Sequence, residues 1–279
     1  MLKSYATLAQ LKSFLSNTVT TNDTDLLRYV EDASLQIDDT CHRYFNTFEG
    51  TQYFDGAARV LNMDIDILSV NSILLDQDGS QTYSTTLATS DFILYPINGQ
   101  QLFPKYLIKL AINASVGSFA SGILAGVKIS GVFGYGTGLN ATPYNDSGAV
   151  VNIGGMTSSI TTHSLSSGKG SLFSAGMTLR IDNEQMYVTG VATDTLTFVR
   201  AVNGTTAATH NAGAIINIYS YPGPIVEACL LQAARDFKRR ESPVQATVGS
   251  AEMGIVPVSK GVDPDVTSKL KRYIKLKIA

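Results

Sequence analysis

The three histidines, His42, His163 and His210, are the first residues to test for chemistry, because imidazole titrates near neutrality and ligates metals. They stand far apart, and no Glu-x-x-His or Cys–His spacing surrounds any of them. Each reads better as a satisfied or solvated side chain than as a metal ligand or general base. Asp76-Gln77-Asp78-Gly79 opens like a calcium loop but lacks the further Asp/Asn positions and the closing Glu, so a turn is the better reading. Gly134, Gly136 and Gly138 follow an apolar run, as a dinucleotide fingerprint would. Leu139, however, stands where the third glycine belongs, no helical pattern follows, and a hinge fits better. Gly168-Lys169 lacks the Ser or Thr that follows the lysine of a phosphate loop. No nucleophile, acid–base pair, metal cluster or cofactor motif emerges, and the expected class is a non-enzyme.

The elements that would position any site are clearer. Thr7 can cap a short helix that places Leu8, Leu11, Phe14 and Leu15 on one face. Asn22 or Asp23 can cap a longer helix running to about Phe45, with Leu26, Leu27, Val30, Ala33, Ile37, Cys41, Tyr44 and Phe45 on one stripe. After Gly50 the period changes to two. Short strands are expected at Gln52–Asp55, Arg59–Leu61, Met63–Leu68, Val70–Leu75, Phe92–Tyr95, Tyr106–Leu110 and Gly126–Tyr135. A buried helix follows Pro222-Gly-Pro224, apolar nearly all round through Phe237 and ending in Lys238-Arg239-Arg240. A last short helix starts at Asp263-Pro264. The two long helices are expected to pair, burying Ile37, Cys41, Tyr44, Cys229, Ala233 and Phe237.

Composition breaks in the second half. From Thr137 to Ser220 only 7 of 84 residues are charged while 32 are Gly, Ser or Thr, and alternating apolar residues recur between turn signals about every ten positions. The expected class is therefore α+β: a helical bundle with a β-sheet region, interrupted by a small all-β barrel or sandwich. Residues 1–136 and 222–279 would form a discontinuous core, and 137–221 an inserted β domain.

Net charge is only −2, but its two ends differ in sign. Residues 1–56 carry four cations against eight acids, and residues 235–279 carry ten cations against five acids. Opposite ends can attract within a subunit or between neighbours, which nominates Asp32, Asp39, Arg43, Arg235, Lys238 and Arg239 as contacts between helices of adjacent subunits. The cations are too interrupted by acids for a strong nucleic-acid signature. Two cysteines, Cys41 and Cys229, make no disulfide framework and read as buried small hydrophobes. No stretch approaches the roughly 20 apolar residues of a membrane span, and the N-terminus does not pattern as a signal peptide.

Several motifs, in order, resemble the head–tail connector (adaptor) proteins of tailed bacteriophages. They are Tyr5-Ala6-Thr7-Leu8, Leu35-Gln-Ile37-Asp38, Arg43-Tyr44-Phe45, Tyr53-Phe54-Asp55-Gly56, Asp66-Ile-Leu-Ser-Val70 and Gly131-Val-Phe-Gly-Tyr135. The Pro224 helix ending Phe237-Lys-Arg-Arg240 and the Val262-Asp263-Pro264-Asp265-Val266 segment complete the series. Residues 176–210, with Glu184-Gln-Met186, Arg200, Asn203-Gly204-Thr205 and His210, look like a β module found in phage virion proteins. The resemblance implies a ring, commonly of twelve copies, under the portal. Such a ring would extend the channel for phage DNA without sequence-specific binding and would seat a tail, stopper or tail-terminator protein. It also implies assembly in the host cytoplasm, a place in the virion and no membrane partner. The mixed C-terminal segment, Leu270, Arg272, Tyr273, Ile274, Lys275, Leu276 and Lys277, would then face the portal, with folding back onto its own subunit, or nucleic acid along the channel, as the alternatives. A decoration or host/glycan-binding protein acting through the β module is the rival class, and a dispersed hydrolase site the third.

Overall fold

The fold is taken from a computed structural model and is described for residues 2–97, 104–136, 143–240, 247–248, 256–257 and 261–275. Lys3, Ser4, Tyr5 and Ala6 are buried before the first helix begins. Helix α1 (Leu8–Phe14) starts with a reciprocal cap: the Thr7 hydroxyl accepts from Gln10 N, and Gln10 accepts from Thr7 N. Helix α2 (Asp23–Cys41) buries Leu26, Val30, Ala33, Ile37 and Cys41 at three- and four-residue steps. It stops short of the expected Phe45 because His42 takes a left-handed conformation, φ 49° and ψ 43°. Tyr44 consequently leaves the helical stripe and is exposed.

The first sheet contains β1 (Thr47–Phe54), β2 (Val60–Leu75), β3 (Thr85–Thr86), β4 (Phe92–Tyr95), β5 (Lys105–Leu110) and β6 (Val127–Gly134). Its order is β1-β6-β2-β5-β4, with β3 beside β2, and every pairing is antiparallel. Alternation along β6 sends Val127, Ile129, Gly131 and Phe133 to the buried face. Val127, Ile129 and Phe133 join Leu61, Met63, Ile67, Ile73, Leu75, Ile108 and Phe119 in one apolar core. Gly134, at φ +117°, passes so close to β1 that an added Cβ would lie 2.1 Å from Asn46 O. A close approach of two backbones, not a phosphate, explains that glycine. Gly138 and Leu139 lie outside the described residues.

The second sheet contains β7 (Tyr144–Val150), β8 (Thr162–Ser164), β9 (Thr178–Ile181), β10 (Glu184–Ala192), β11 (Thr195–Val199) and β12 (Ile215–Tyr219). Its order is β7-β12-β9-β10-β11-β8, again antiparallel throughout. Leu179, Ile181, Met186, Val188, Leu196, Phe198 and Ile216 build its core. Helix α3 (Gly223–Arg239) carries proline in its first turn, and β13 (Thr247–Val248) pairs with β14 (Val256–Pro257). Helix α4 (Pro264–Leu270) is capped by the Asp263 side chain, which accepts from Asp265 N.

The expected class, an α+β fold built on a helical bundle, is corrected by this architecture. Among the described residues two six-stranded sheets dominate, and two of the four α-helices have only seven residues. The reason lies in β2. Segments expected as separate short strands run together as one strand of 16 residues, which pairs with β5 and β6 and so gathers the region into a single sheet.

Two compact units divide the chain. One comprises Met1–His42, Tyr144–Val202 and Thr206–Ile274; the other comprises Arg43–Pro143, Asn203–Thr205 and Lys275–Ala279. The first unit thus holds the four helices with the second sheet, and the other holds the first sheet. This partition differs from the expected one, 1–136 with 222–279 against 137–221. Within the first unit the N-terminal segment is tied to the second sheet. Leu8 N donates to Ala175 O at 3.0 Å, and Tyr187 OH lies 2.6 Å from Ser4 Oγ while donating to Glu31 at 2.7 Å.

Candidate interaction surface and buried charge clusters

The first unit places α2 against α3, with Val30, Ala33, Ile37 and Cys41 on one helix and Ile225, Ala228, Cys229 and Ala233 on the other all buried. Cys229 Sγ donates to Val30 O at 3.5 Å, and burial pushes its thiol up to about 11, so both cysteines behave as apolar filling. Phe237 is only half-buried, edge-on to Tyr29 at 6.0 Å and with the Arg240 guanidinium over its ring.

Charges sort by face. Asp25 pairs with Arg240 at 3.0 Å, Arg235 with Asp263 at 2.9 Å and Lys269 with Glu227 at 2.8 Å, which closes α2, α3 and α4 together. Asp32 and Asp39 are exposed, with 48% exposed Leu35 between them, and neither acid has an ion-pair partner among the described residues. Lys238, Lys271 and Arg272 are exposed and Arg239 is half-buried. Of the residues expected at subunit contacts, Asp32, Asp39, Lys238 and Arg239 therefore offer charge at the surface. Arg235 is committed to Asp263.

Arg43 belongs to the other unit and is turned inward. Its Nε lies 3.1 Å from Asp66 Oδ2, and its guanidinium sits over the Tyr135 ring. Lys275 Nζ reaches Asp66 Oδ1 at 3.3 Å and donates to Met63 O at 2.9 Å. Burial pushes the Asp66 carboxyl above the ordinary carboxylate range, against the pull of both cations, and burial likewise lowers the Lys275 amine.

Among its described residues, the C-terminal strip expected to face a partner turns its apolar side chains inward. Val266, Leu270 and Tyr273, spaced four and three apart, share the inward face of the last helical turns and are buried. Ile274 and Lys275 are half-buried, and Arg272 lies outside with its guanidinium over Tyr273. Leu276 and Lys277 lie outside the described residues.

The second sheet contains a charge cluster that the search for catalytic spacing passed over. Glu184, at the start of β10, is fully buried and accepts from Arg200 Nε and Nη2, both at 2.6 Å. It also accepts from Ala208 N at 2.8 Å and Ala201 N at 3.1 Å, and its Oε2 faces His210 Nε2 at 3.0 Å. His210 Nδ1 faces Asp182 at 2.7 Å. Burial by itself would raise the Glu184 carboxyl, but Arg200, the two backbone amides and His210 outweigh it and hold the group at about 2. Arg200 also donates to Thr157 O at 2.6 Å and to Ile160 O at 3.3 Å. His210 is thus a satisfied core histidine, and the cluster is a clamp that gathers the loops flanking β10 and β11.

His163 has a different role: its Nε2 accepts from Asn152 N at 3.1 Å. Asp76 accepts from the backbone amides of Asp78, Gly79 and Gln81, which makes the calcium-like segment a turn built on its own carboxylate. Among the described residues no group of three or more His, Cys, Asp or Glu side chains is placed to hold a metal ion. No family model matches the chain, and no curated protein is similar to it.

Proposed function

We propose that the protein is a structural virion protein of a tailed phage, a head–tail connector that associates with copies of itself as a ring under the portal. The observation that carries this is the separation, on the first unit, of charge that has no ion-pair partner among the described residues. An acidic, partly apolar face of α2 (Asp32, Leu35, Asp39) is matched by a cationic set on α3 and beyond α4 (Lys238, Arg239, Lys271, Arg272). Surfaces of opposite sign on one subunit suit a heterologous contact, in which the face of one copy meets a different face of the next and the series closes into a ring. In this reading the portal contact rests on Lys271 and Arg272 rather than on the buried Leu270 and Tyr273. DNA passes through without sequence-specific contacts.

Mass photometry and negative-stain microscopy of the purified chain, with and without a purified portal ring, test this. A closed assembly of about twelve copies is expected. Asp32→Lys with Asp39→Lys should leave the fold intact and the subunit monomeric. Mixing that variant with Lys238→Glu, Arg239→Glu should restore association. A wild-type chain that stays monomeric in both conditions overturns the proposal, as does undiminished assembly of the charge-reversed variant.

A further inference from the structure

Ahead of α1, the first unit sets a buried amine against a buried carboxyl. Lys3 is 3% exposed and Asp38, on α2, is 5% exposed, and Lys3 Nζ contacts Asp38 Oδ2. The Tyr5 hydroxyl donates to the other carboxyl oxygen, Asp38 Oδ1. Both partners are fixed by their surroundings. Tyr5 N donates to Ser34 Oγ at 2.9 Å, one turn before Asp38 on the same face of α2. Ser4 Oγ lies 2.6 Å from Tyr187 Oη, which holds the segment against β10.

An ion pair is the ordinary outcome of such a contact, but burial works against it. Two ions taken out of water are stabilised only if further hydrogen bonds satisfy them. Burial lowers the Lys3 amine to about 8, with the Asp39 carboxylate pulling the other way. Near neutral pH part of the Lys3 population is therefore the free amine, the nucleophilic form. An amine and a carboxyl held in contact need no encounter, and positioning of this kind lowers the barrier to bond formation between them. Exclusion of water also shifts the balance of condensation. In bulk solvent the two ions are well hydrated and their amide gains little. In a dry site the ions lose that hydration, whereas the amide carries no charge.

We propose that Lys3 and Asp38 form an intramolecular amide, a covalent staple that joins the N-terminal segment to α2 across 35 residues. Transfer of one ammonium proton to the carboxylate gives the neutral amine and acid. Lys3 Nζ then attacks Asp38 Cγ and the Nζ–Cγ bond forms. Oδ2 departs as water, carrying the acid proton and one proton from the nitrogen. Oδ1 remains as the amide oxygen, where the Tyr5 hydroxyl already donates. No oxidant or cofactor is consumed. Both cysteines of the chain are free, so this bond would be a cross-link that a reducing compartment leaves intact. It closes a loop in the unfolded chain, as a disulfide does. The bond does not depend on the connector reading, and either can fail alone.

Mass spectrometry of the purified full chain tests it. The intact mass should fall short of the sequence mass by one water. Asp55-Gly56 and Asp78-Gly79 could each lose a water by closing to a succinimide, so a tryptic map must locate the loss. Trypsin should leave Lys3 uncut and yield Met1–Lys12 joined to Tyr29–Arg43. Lys3→Arg keeps a cation beside Asp38 but has no amine to condense, and Tyr29–Arg43 should then appear unjoined. Recovery of wild-type Tyr29–Arg43 solely as an unjoined peptide of full mass overturns the proposal. A water loss that maps to an Asp-Gly pair instead, or a joined peptide that persists in Lys3→Arg, overturns it as well.

Discussion

Replacing Arg200 by methionine tests whether the second sheet is held by the charge clamp around Glu184. The substitution keeps most of the side-chain volume but removes the guanidinium that sits 2.6 Å from both carboxylate oxygens. The Glu184 side chain has no solvent exposure and that of Arg200 is 7% exposed, so water cannot replace the lost partner. Removing one member of a buried ion pair costs about 3–5 kcal/mol, because the other charge is left in a low-dielectric interior. The carbonyls of Thr157 and Ile160 lose their donor as well, at about 1 kcal/mol each. Calorimetric melting should fall by roughly 10–28 °C, at about 2–4 °C per kcal/mol for a unit of this size. The double variant Arg200→Met, Glu184→Met should lose less than the sum of the two single variants, since neither charge is then stranded. Acidification gives a second check. The Glu184 carboxyl titrates at about 2 in the fold against 4.5 unfolded, so its stabilisation is complete above pH 4.5 and fades as pH falls towards 2. Glu184→Gln should flatten that part of the stability profile. An Arg200→Met melt within 2 °C of wild type, or strictly additive losses in the double variant, would refute the clamp.

Gly204→Ala should destabilise the unit containing the first sheet. Gly204 has φ +79°, and an added Cβ would stand 2.0 Å from Glu49 O, so the clash adds to a left-handed penalty of about 1–2 kcal/mol; a denaturation midpoint equal to wild type would contradict this. Tyr187→Phe deletes the hydroxyl shared by Ser4 and Glu31 and should cost about 1.5–3 kcal/mol, since one bond is to a carboxylate. Limited proteolysis should then cut ahead of α1 faster than in wild type, and unchanged cleavage would place the anchor elsewhere. Burial lowers His163 from its ordinary 6.5, and its neutral Nε2 accepts from Asn152 N. The stability it contributes is therefore full above pH 6.5 and is lost as pH falls through the lowered value. His163→Phe should remove that decline, measured as melting temperature between pH 7 and pH 4.5, and a profile identical to wild type would show that the contact carries no linkage.

Local elements were legible because their signals are local. The Thr7 cap, the α2 stripe, the proline that opens α3 and the Asp263 cap act within one or two helical turns, and each appears where its residues stand. The class was not legible, because it depends on which strands pair. Nothing in 60–75 states that three alternating segments form one continuous strand, and that continuity converts a scatter of short strands into a sheet. The end of α2 was missed for a related reason: His42 in a left-handed conformation is a choice of one residue that periodicity cannot register.

The same distinction governs the candidate sites. The exposed positions of Asp32 and Asp39 were legible, because helical spacing alone fixes the outward side of α2. Arg43 and Lys275 were read as surface cations because long basic side chains are seldom buried, and only the fold brings a buried Asp66 between them. The C-terminal strip shows how composition can mislead: Lys269, Lys271 and Arg272 alternate with Leu270 and Tyr273, which suggests a sticky basic surface. A helix sorts such a mixture by angle rather than by order, turning Val266, Leu270 and Tyr273 inward and leaving Lys271 and Arg272 outside. Among the described residues, what remains exposed there is the positive charge of Lys271 and Arg272. Any partner that docks there should accordingly bind with strong salt dependence, and a portal interface insensitive to ionic strength would have to be built from other residues.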